Sequence, residues 1–340
     1  MTMNTQLYNF TKWWLTGFTQ ADGGFVVNFD SRKQGNLPYY PRPSFVLTQN
    51  IQEEQMMIQL HKYLGVGKLY YSRNEINIVI RSQDDITNVI IPHFDNHPLR
   101  GHKLTSYLIF KEVVLMINNG KHLSPEGFLQ IIELCYFANH TTRRTLETKQ
   151  TILEKIYSKF GFIEFEPIIE SNLAKPNSSP INTDYMVGLV DGDGSFNFGF
   201  KSTRRRIVPN FTIVQGIEDR SVLEDVQSYL DCGKVYDLQS QASRYQVENV
   251  TDLVGKVLPE FKENLFTTTK KDYFYNVVEA WLILAKQGIK DDKNLIKVVE
   301  LVYNMNLDGK SRKQSKEDYL KQFVKDIYSS PPFGRHYKDS

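Results

Sequence analysis

Two stretches of the chain carry carboxylates in a setting that could do metal chemistry. Leu15-Thr16-Gly17-Phe18-Thr19-Gln20-Ala21-Asp22-Gly23-Gly24-Phe25 aligns without gaps on Met186-Val187-Gly188-Leu189-Val190-Asp191-Gly192-Asp193-Gly194-Ser195-Phe196. Gly17 and Ala21 are four residues apart, as are Gly188 and Gly192, so each pair lies on one face of a helix. Small residues at that spacing let two helix backbones approach closely. If the two helices pack together, a pseudo-two-fold axis runs between them and Asp22 and Asp193 stand side by side at their C-terminal ends. Each carboxylate then faces the negative end of its own helix dipole and repels the other. Cations relieve both penalties, and hard divalent ions with oxygen ligands, Mg²⁺ above all, suit such a pair. Metals between symmetric carboxylates can activate a water and stabilise the leaving oxygen of a phosphodiester. A two-fold site also suits a two-stranded substrate.

Two plainer readings compete. A lone Asp-Gly is turn chemistry at the end of a helix, but here it recurs behind the same small-residue spacing and before the same kind of strand. A calcium loop starting at Asp191 fails because Phe196 holds the position that requires Gly and Ser202 the position that requires Glu. His93, His97 and His102 have no counterparts in the second stretch, and Pro98 and Gly101 interrupt any shared helix face, so no metal site is read there.

The elements that must hold the aspartates repeat in the same order. Each copy continues with an alternating strand, then Phe45-Val46-Leu47-Thr48-Gln49 or Phe211-Thr212-Ile213-Val214-Gln215. A helical stretch follows, ending in Tyr63-Leu64-Gly65-Val66-Gly67-Lys68 or Tyr229-Leu230-Asp231-Cys232-Gly233-Lys234. Ile91-Pro92-His93-Phe94 then pairs with Leu258-Pro259-Glu260-Phe261, and a lysine follows in both, Lys103 and Lys270. Phe25, Val27 and Phe29, like Phe196, Phe198 and Phe200, alternate with other residues at the period of a half-buried strand. Phe45 and Leu47, then Ile76, Ile78 and Ile80, supply further apolar strand faces. Each half is therefore expected to be α+β, an antiparallel sheet with helices on one face and the other face open to a partner. The expected division is 1–166, a Pro-, Asn- and Ser-rich linker over 167–180, 181–308, and a C-terminal extension over 309–340.

Composition sets looser bounds. The 340 residues are 41% hydrophobic and 24% charged, as in ordinary globular proteins, and no apolar run reaches membrane-spanning length. The start of the chain lacks a basic-then-apolar signal pattern. Cys135 and Cys232 form no C-x-x-C, which fits a reducing compartment rather than a disulfide framework. A net charge of +2 neither demands nor excludes nucleic acid. Arg204-Arg205-Arg206 and the run from Lys310 to Lys316 are candidates for phosphate contact, with solvated surface as the plain alternative.

Both copies of the motif resemble LAGLIDADG, and from about Trp13 to about Asn306 the chain resembles a single-chain LAGLIDADG homing endonuclease. The resemblance implies two tandem pseudo-symmetric αββαββα subdomains forming a DNA-binding saddle, with the sheets in the major groove. It implies a monomer that cuts both strands of a long, specific duplex target across the minor groove, leaves 3′ overhangs and initiates intron homing. An organellar setting, mitochondrion or chloroplast, is implied in the same way. The rivals are an intron-RNA splicing role, known for some relatives, and DNA binding without cleavage.

The metal-binding acids of the family map onto Asp22 and Asp193, with Ala21 and Gly192 beside them as metal contacts. Mg²⁺ is the expected cofactor, with Mn²⁺ substituting and Ca²⁺ bound without supporting cleavage. Gln49 and Gln215 resemble residues that order water at the edge of the site. Lys103 and Lys270 resemble the basic residues that stabilise charge on the scissile phosphate, with Lys271 an alternative to Lys270. Gln20 stands where the second copy has Asp191, a position that is structural in the family, and Gly24 replaces the usual Ser. Alternation then selects the DNA-facing residues. In the first half these are Val26, Asn28, Asp30 and Arg32; Arg42, Ser44, Val46 and Thr48; Lys68, Tyr70 and Ser72; and Asn77, Val79 and Arg81. In the second half they are Ser195, Asn197 and Lys201; Asn210 and Thr212; Lys234 and Tyr236; and Arg244, Gln246 and Glu248. Such side chains can read base edges and hold phosphates.

Overall fold

The computed structural model describes residues 8–32, 35–138, 146–168, 173, 179–201, 206–261, 266–287, 292–303, 305 and 314–323. The first half runs α1 (Lys12–Asp22), β1 (Gly23–Ser31), β2 (Tyr39–Asn50), α2 (Glu54–Leu64), β3 (Lys68–Tyr71) and β4 (Glu75–Ile80). α3 (Gln83–Asp85) continues through a π turn at Ile86–Ile90 into α4 (Ile91–Asn96), followed by α5 (Gly101–Asn118), α6 (Pro125–Ala138) and α7 (Leu146–Phe160). The second half repeats the plan with α8 (Thr183–Asp193), β5 (Gly194–Lys201), β6 (Arg206–Gly216), α9 (Arg220–Leu230), β7 (Lys234–Leu238) and β8 (Ala242–Val247). α10 (Val250–Asp252), again with a π turn at Leu253–Val257, leads to α11 (Lys270–Gln287), α12 (Asp292–Val302) and α13 (Lys316–Phe323). Each half holds one four-stranded antiparallel sheet, in the orders β1-β2-β4-β3 and β5-β6-β8-β7.

Alternation along these strands sends one aromatic set inward. Phe25 pairs with Phe45 and Phe45 with Ile80, and Phe25 lies within ring contact of Phe94, Tyr107 and Phe110 from the helices behind. Phe196 repeats the arrangement with Phe211, Phe261, Phe266, Phe274 and Trp281. Burying each such ring contributes about 1.5–3 kcal/mol, so these clusters hold the helices to one face and leave the other open. The expected α+β halves are present.

The motif helices start on side-chain caps, Thr11 accepting from the Trp14 N–H at 3.1 Å and Asn182 from the Tyr185 N–H at 2.9 Å. They then pack on one another through their small residues. A Cβ at Gly17 would overlap the Tyr185 carbonyl oxygen and lie 2.8 Å from the Leu189 nitrogen. A Cβ at Gly188 would overlap the Trp14 carbonyl oxygen and lie 2.8 Å from the Phe18 nitrogen. Those contacts exchange under the alignment of the two copies, which is the pseudo-two-fold axis.

A second apolar cluster, Leu37, Phe128, Leu129, Ile132, Ile152 and Ile156, seats α6 and α7 beneath the β1–β2 turn. Lys155 donates to the Tyr39 hydroxyl at 2.8 Å and Lys159 to the Asn36 carbonyl at 2.7 Å. In the second half α13 braces the corresponding end of β5, with Tyr319 packed on Phe200 at 4.8 Å. Part of the C-terminal extension is thus docked rather than free, Lys316 opening that helix, while 310–313 of its basic run lie outside the described residues. Arg204 and Arg205 also lie outside them, as do the side chain of Arg206 and most of the linker; Ile168 and Leu173 pack against the core. Cys135 is buried and Cys232 half-buried. His93 is half-buried and shares a hydrogen bond with the Thr16 hydroxyl at 3.1 Å, and desolvation, then His97 and Lys12, pushes its pKa down to about 3.

Candidate active site

The crossing of α1 and α8 delivers Asp22 and Asp193 to one point. A Cβ at Gly192 would overlap Ala21 Cβ and stand 2.7 Å from Asp22 Oδ2, so the glycine there makes room for the opposite carboxylate. Each aspartate accepts a hydrogen bond at 2.5 Å on Oδ2 from the next-to-last residue of its own sheet's second strand, Gln49 to Asp22 and Gln215 to Asp193. Among the described residues no hydrogen bond reaches the Oδ1 of either. Burial, then the charge of Asp193, pushes the Asp22 carboxyl up to about 7 against the pull of Lys270, Lys103 and Gln49. Burial likewise pushes Asp193 up to about 6, opposed by Lys103, Gln215 and Lys270. Two partly enclosed carboxylates, each with an unbonded oxygen, form a donor set that fits a hard divalent ion. The carbonyls of Ala21 and Gly192 lie in the last turns beside them, the Gly192 carbonyl 3.5 Å from the Lys270 ammonium.

Lys103 and Lys270 enter from opposite sides. The Lys103 ammonium donates to the Gly23 carbonyl at 2.6 Å, and the Lys270 ammonium to the Asp191 carbonyl at 2.7 Å. Burial lowers both pKa values; Asp219, Asp193 and Asp22 oppose it at Lys103, and Asp191, Glu53, Asp22 and Asp193 at Lys270. Lys271 is not the counterpart of Lys103, because its ammonium sits over the Tyr8 ring, 4.7 Å from the centroid. Asp191 stays out of the site. It is 1% exposed and accepts from Trp14 Nε1 at 2.8 Å and from the N–H and hydroxyl of both Thr267 and Thr268. Gln20 takes its place in the first half, accepting from the Arg100 N–H at 3.0 Å. Two carboxylates were missed by the sequence reasoning, Glu53 and Asp219. They stand four residues after Gln49 and Gln215, and the shared offset was a usable signal.

The strand register groups the residues expected to face DNA. Gly24, Val46, Val79 and Lys68 form one row across the first sheet, and Ser195, Thr212, Gln246 and Lys234 the matching row across the second. Val26 stands opposite Ser44 and Asn28 opposite Arg42 in the first half, Asn197 opposite Asn210 in the second. Thr48, Asn77 and Tyr70 form a further row on one side; Val214, Arg244 and Tyr236 form one on the other, with Arg244 in the middle. Val214 was absent from the expected set. The expectation needs correcting in depth: Ser44 is 3% exposed, Val79 8% and Thr212 8%, so these line the floor of the face and not its contact surface. Several exposed groups are already held in place. Arg42 pairs with Asp30 at 3.0 Å, the Arg32 and Arg81 guanidiniums sit over Tyr40 and Tyr70, and Gln246 accepts from Tyr236 while donating to Glu248 at 2.8 Å. Ser72 follows β3 and is exposed, and Lys201 ends β5 with its side chain outside the described residues.

Comparison with known proteins agrees with this geometry. The family model described as LAGLIDADG endonuclease matches residues 15–114 and 186–281, one match in each half. The chain is 87% identical over 271 residues to "Probable intron-encoded DNA endonuclease 1" of Mycosarcoma maydis, covering 80% of this chain and 99% of that protein. Two solved structures share the fold at 23% identity. One is the I-SmaMI LAGLIDADG homing endonuclease bound to cleaved DNA, with TM-score 0.76 over 89% of this chain and 99% of that one. The other is I-SmaMI bound to an uncleaved DNA target in the presence of calcium ions, with TM-score 0.75 over 88% of this chain and 99% of that one. With one complete motif in each half, the chain belongs to the LAGLIDADG endonuclease family.

Proposed function

We propose that this chain is a monomeric, sequence-specific DNA endonuclease that hydrolyses one phosphodiester on each strand of a long duplex target. The observation that carries the reading is the abutment of Asp22 and Asp193 at the ends of two packed helices, each flanked by its own glutamine and by a lysine. Asp22 and Asp193, with the carbonyls of Ala21 and Gly192, would hold divalent cations, Mg²⁺ with Mn²⁺ as a substitute. Bound there, such ions supply an activated water and neutralise charge on the scissile phosphate. Gln49 and Gln215 fix one carboxylate oxygen each and orient solvent at the margin of the site. Lys103 and Lys270 bring positive charge to where the reacting phosphate gains negative charge. The open sheet faces follow the major groove on either side, their polar rows reading bases and their Arg and Lys holding phosphates.

Cleavage across the minor groove with 3′ overhangs, a role in intron homing and an organellar setting complete the proposal. The I-SmaMI structure with uncleaved DNA and calcium supports Ca²⁺ as an ion that binds without supporting cleavage. Selection of cleaved products from a randomised duplex library in Mg²⁺, with Ca²⁺ in parallel, tests the reading. It predicts double-strand cuts at one long, imperfectly palindromic site in Mg²⁺ alone. Tight binding without cuts would make the protein a non-cleaving binder, and no DNA selectivity would favour intron RNA.

A further inference from the structure

The helices that carry Lys103 and Lys270 each receive, besides the own-half contacts of Gln20 and Asp191, a carboxylate from the opposite half at their start. The N-cap residue of α5, Arg100, makes no side-chain cap bond. In its place Asp219, from the turn Ile217–Asp219 that follows β6, reaches across the interface and accepts from the His102 N–H at 2.6 Å, with the Lys103 N–H directed to it as well. Gly101 makes the approach possible: its φ of +53° lies in the left-handed region, and a Cβ there would overlap Asp219 Oδ1. The converse holds on the other side. Glu53, from the turn Ile51–Glu53 that follows β2, accepts from the Thr269 N–H at 3.0 Å and the Thr269 hydroxyl at 2.6 Å, immediately before α11 begins at Lys270. The two acids hold the same place in the repeat and exchange under the pseudo-two-fold axis.

A helix begins with N–H groups that have no partner in the helix, and its positive end favours a carboxylate. Both lysines sit in that first turn, the third residue of α5 and the first of α11. A lysine reaches its target on a long stem with many rotamers, so where the backbone starts decides where the ammonium lands. Arg100 reinforces the same junction by pairing with Asp225 of the other half at 2.7 Å.

We infer that Asp219 and Glu53 are positioning residues that act across the two halves: Asp219 sets Lys103 on the Gly23 carbonyl, and Glu53 sets Lys270 on the Asp191 carbonyl. Each half's lysine is therefore aimed in part by the other half. The inference rests on the proposed DNA cleavage, in which the two lysines flank a shared site, and it makes a prediction that a general stabilising role does not. Losing one acid disturbs one lysine, and so one strand more than the other.

The test is strand-resolved cleavage of a supercoiled plasmid carrying the selected target, in Mg²⁺, with DNA affinity measured in Ca²⁺. Asp219→Ala is expected to slow one strand on the order of 10- to 100-fold, so that nicked circle accumulates with an unchanged Kd. Lys103→Ala should slow the same strand. Glu53→Ala and Lys270→Ala should slow the opposite strand. Asp219→Asn and Glu53→Gln keep an acceptor oxygen for the helix N–H groups and should restore most of the lost rate. If Asp219→Ala does not fold, Asp219→Ser, which pulls the acceptor back, gives the same strand-resolved readout. Equal slowing of both strands, slowing of one and the same strand by Asp219→Ala and Glu53→Ala, unchanged rates or a weakened Kd would each overturn the inference. A wild-type protein that cuts neither strand would overturn the proposed function itself.

Discussion

Gln20 and Asp191 hold the same turn of the two motif helices and solve one problem in two ways. Both are buried, and both seat the start of the helix that carries a lysine. Asp191 does it with a charge, which is tolerated because Trp14 Nε1, two backbone N–H groups and two hydroxyls surround it. Gln20 does it without charge: its Oε1 takes one N–H, while its buried Nε2 has no partner among the described residues. The lysines then land differently, Lys103 on the residue after Asp22 and Lys270 on the residue two before Asp193. Duplicated halves can therefore keep a symmetric pair of acids while the scaffolding behind them diverges.

Substitutions can break or sharpen that comparison. The largest difference is expected between Asp191→Ala and Gln20→Ala in chemical unfolding. Removing Asp191 strands several buried donors and should cost about 3–5 kcal/mol. Removing Gln20 loses one bond and should cost about 1–2 kcal/mol. Equal losses would mean that the two positions are not energetically distinct. Gly17→Ala and Gly188→Ala come next. Each pushes a methyl into the opposite helix's backbone, and each should cost about 2–3 kcal/mol by the same measurement, with matching values because the contacts exchange under the axis.

A smaller effect depends on pH. Asp22 and Asp193 are pushed above the usual carboxylate range, so the folded protein holds their protons more tightly than the unfolded chain does. That contribution is complete below about pH 4 and is lost as pH rises through about 6 and 7. Calorimetry without divalent ions should show Tm falling across this window, Asp22→Asn flattening the fall and Mg²⁺ restoring stability at pH 8. A Tm that rises between pH 5 and 8, with no response to Asp22→Asn, would contradict the raised values. The smallest effect is Gly24→Ser. An added Cβ meets nothing nearer than 3.9 Å, so stability should stay within about 0.5 kcal/mol, and the row then matches the Ser195 row of the other sheet.

Much of the site was readable along the chain because its logic repeats. The duplicated small-residue spacing implied helix-on-helix contact, which placed Asp22 and Asp193 together before any coordinates. Strand alternation separated the face packed on the helices from the opposite one, since the period of two leaves only two choices. It could not assign depth: Ser44, Val79 and Thr212 face the right way yet sink among longer neighbours, and side-chain length around a position is a property of the folded sheet. Lys270 and Lys271 could not be separated without knowing where α11 begins. For Glu53 and Asp219 the shared offset from Gln49 and Gln215 marks the pair but not what it touches, because their partners lie 216 and 117 residues away, in the other half.

The central claim is that Asp22 and Asp193 together carry cleavage of both strands. Quenched-flow cleavage of the selected target in Mg²⁺, by wild type, Asp22→Asn and Asp193→Asn, tests it most directly, with DNA binding in Ca²⁺ as the control. Wild type should cut both strands, and either substitution should abolish double-strand cleavage, a loss on the order of 10³-fold or more, while binding is largely kept. Full double-strand cleavage by either variant would contradict the account.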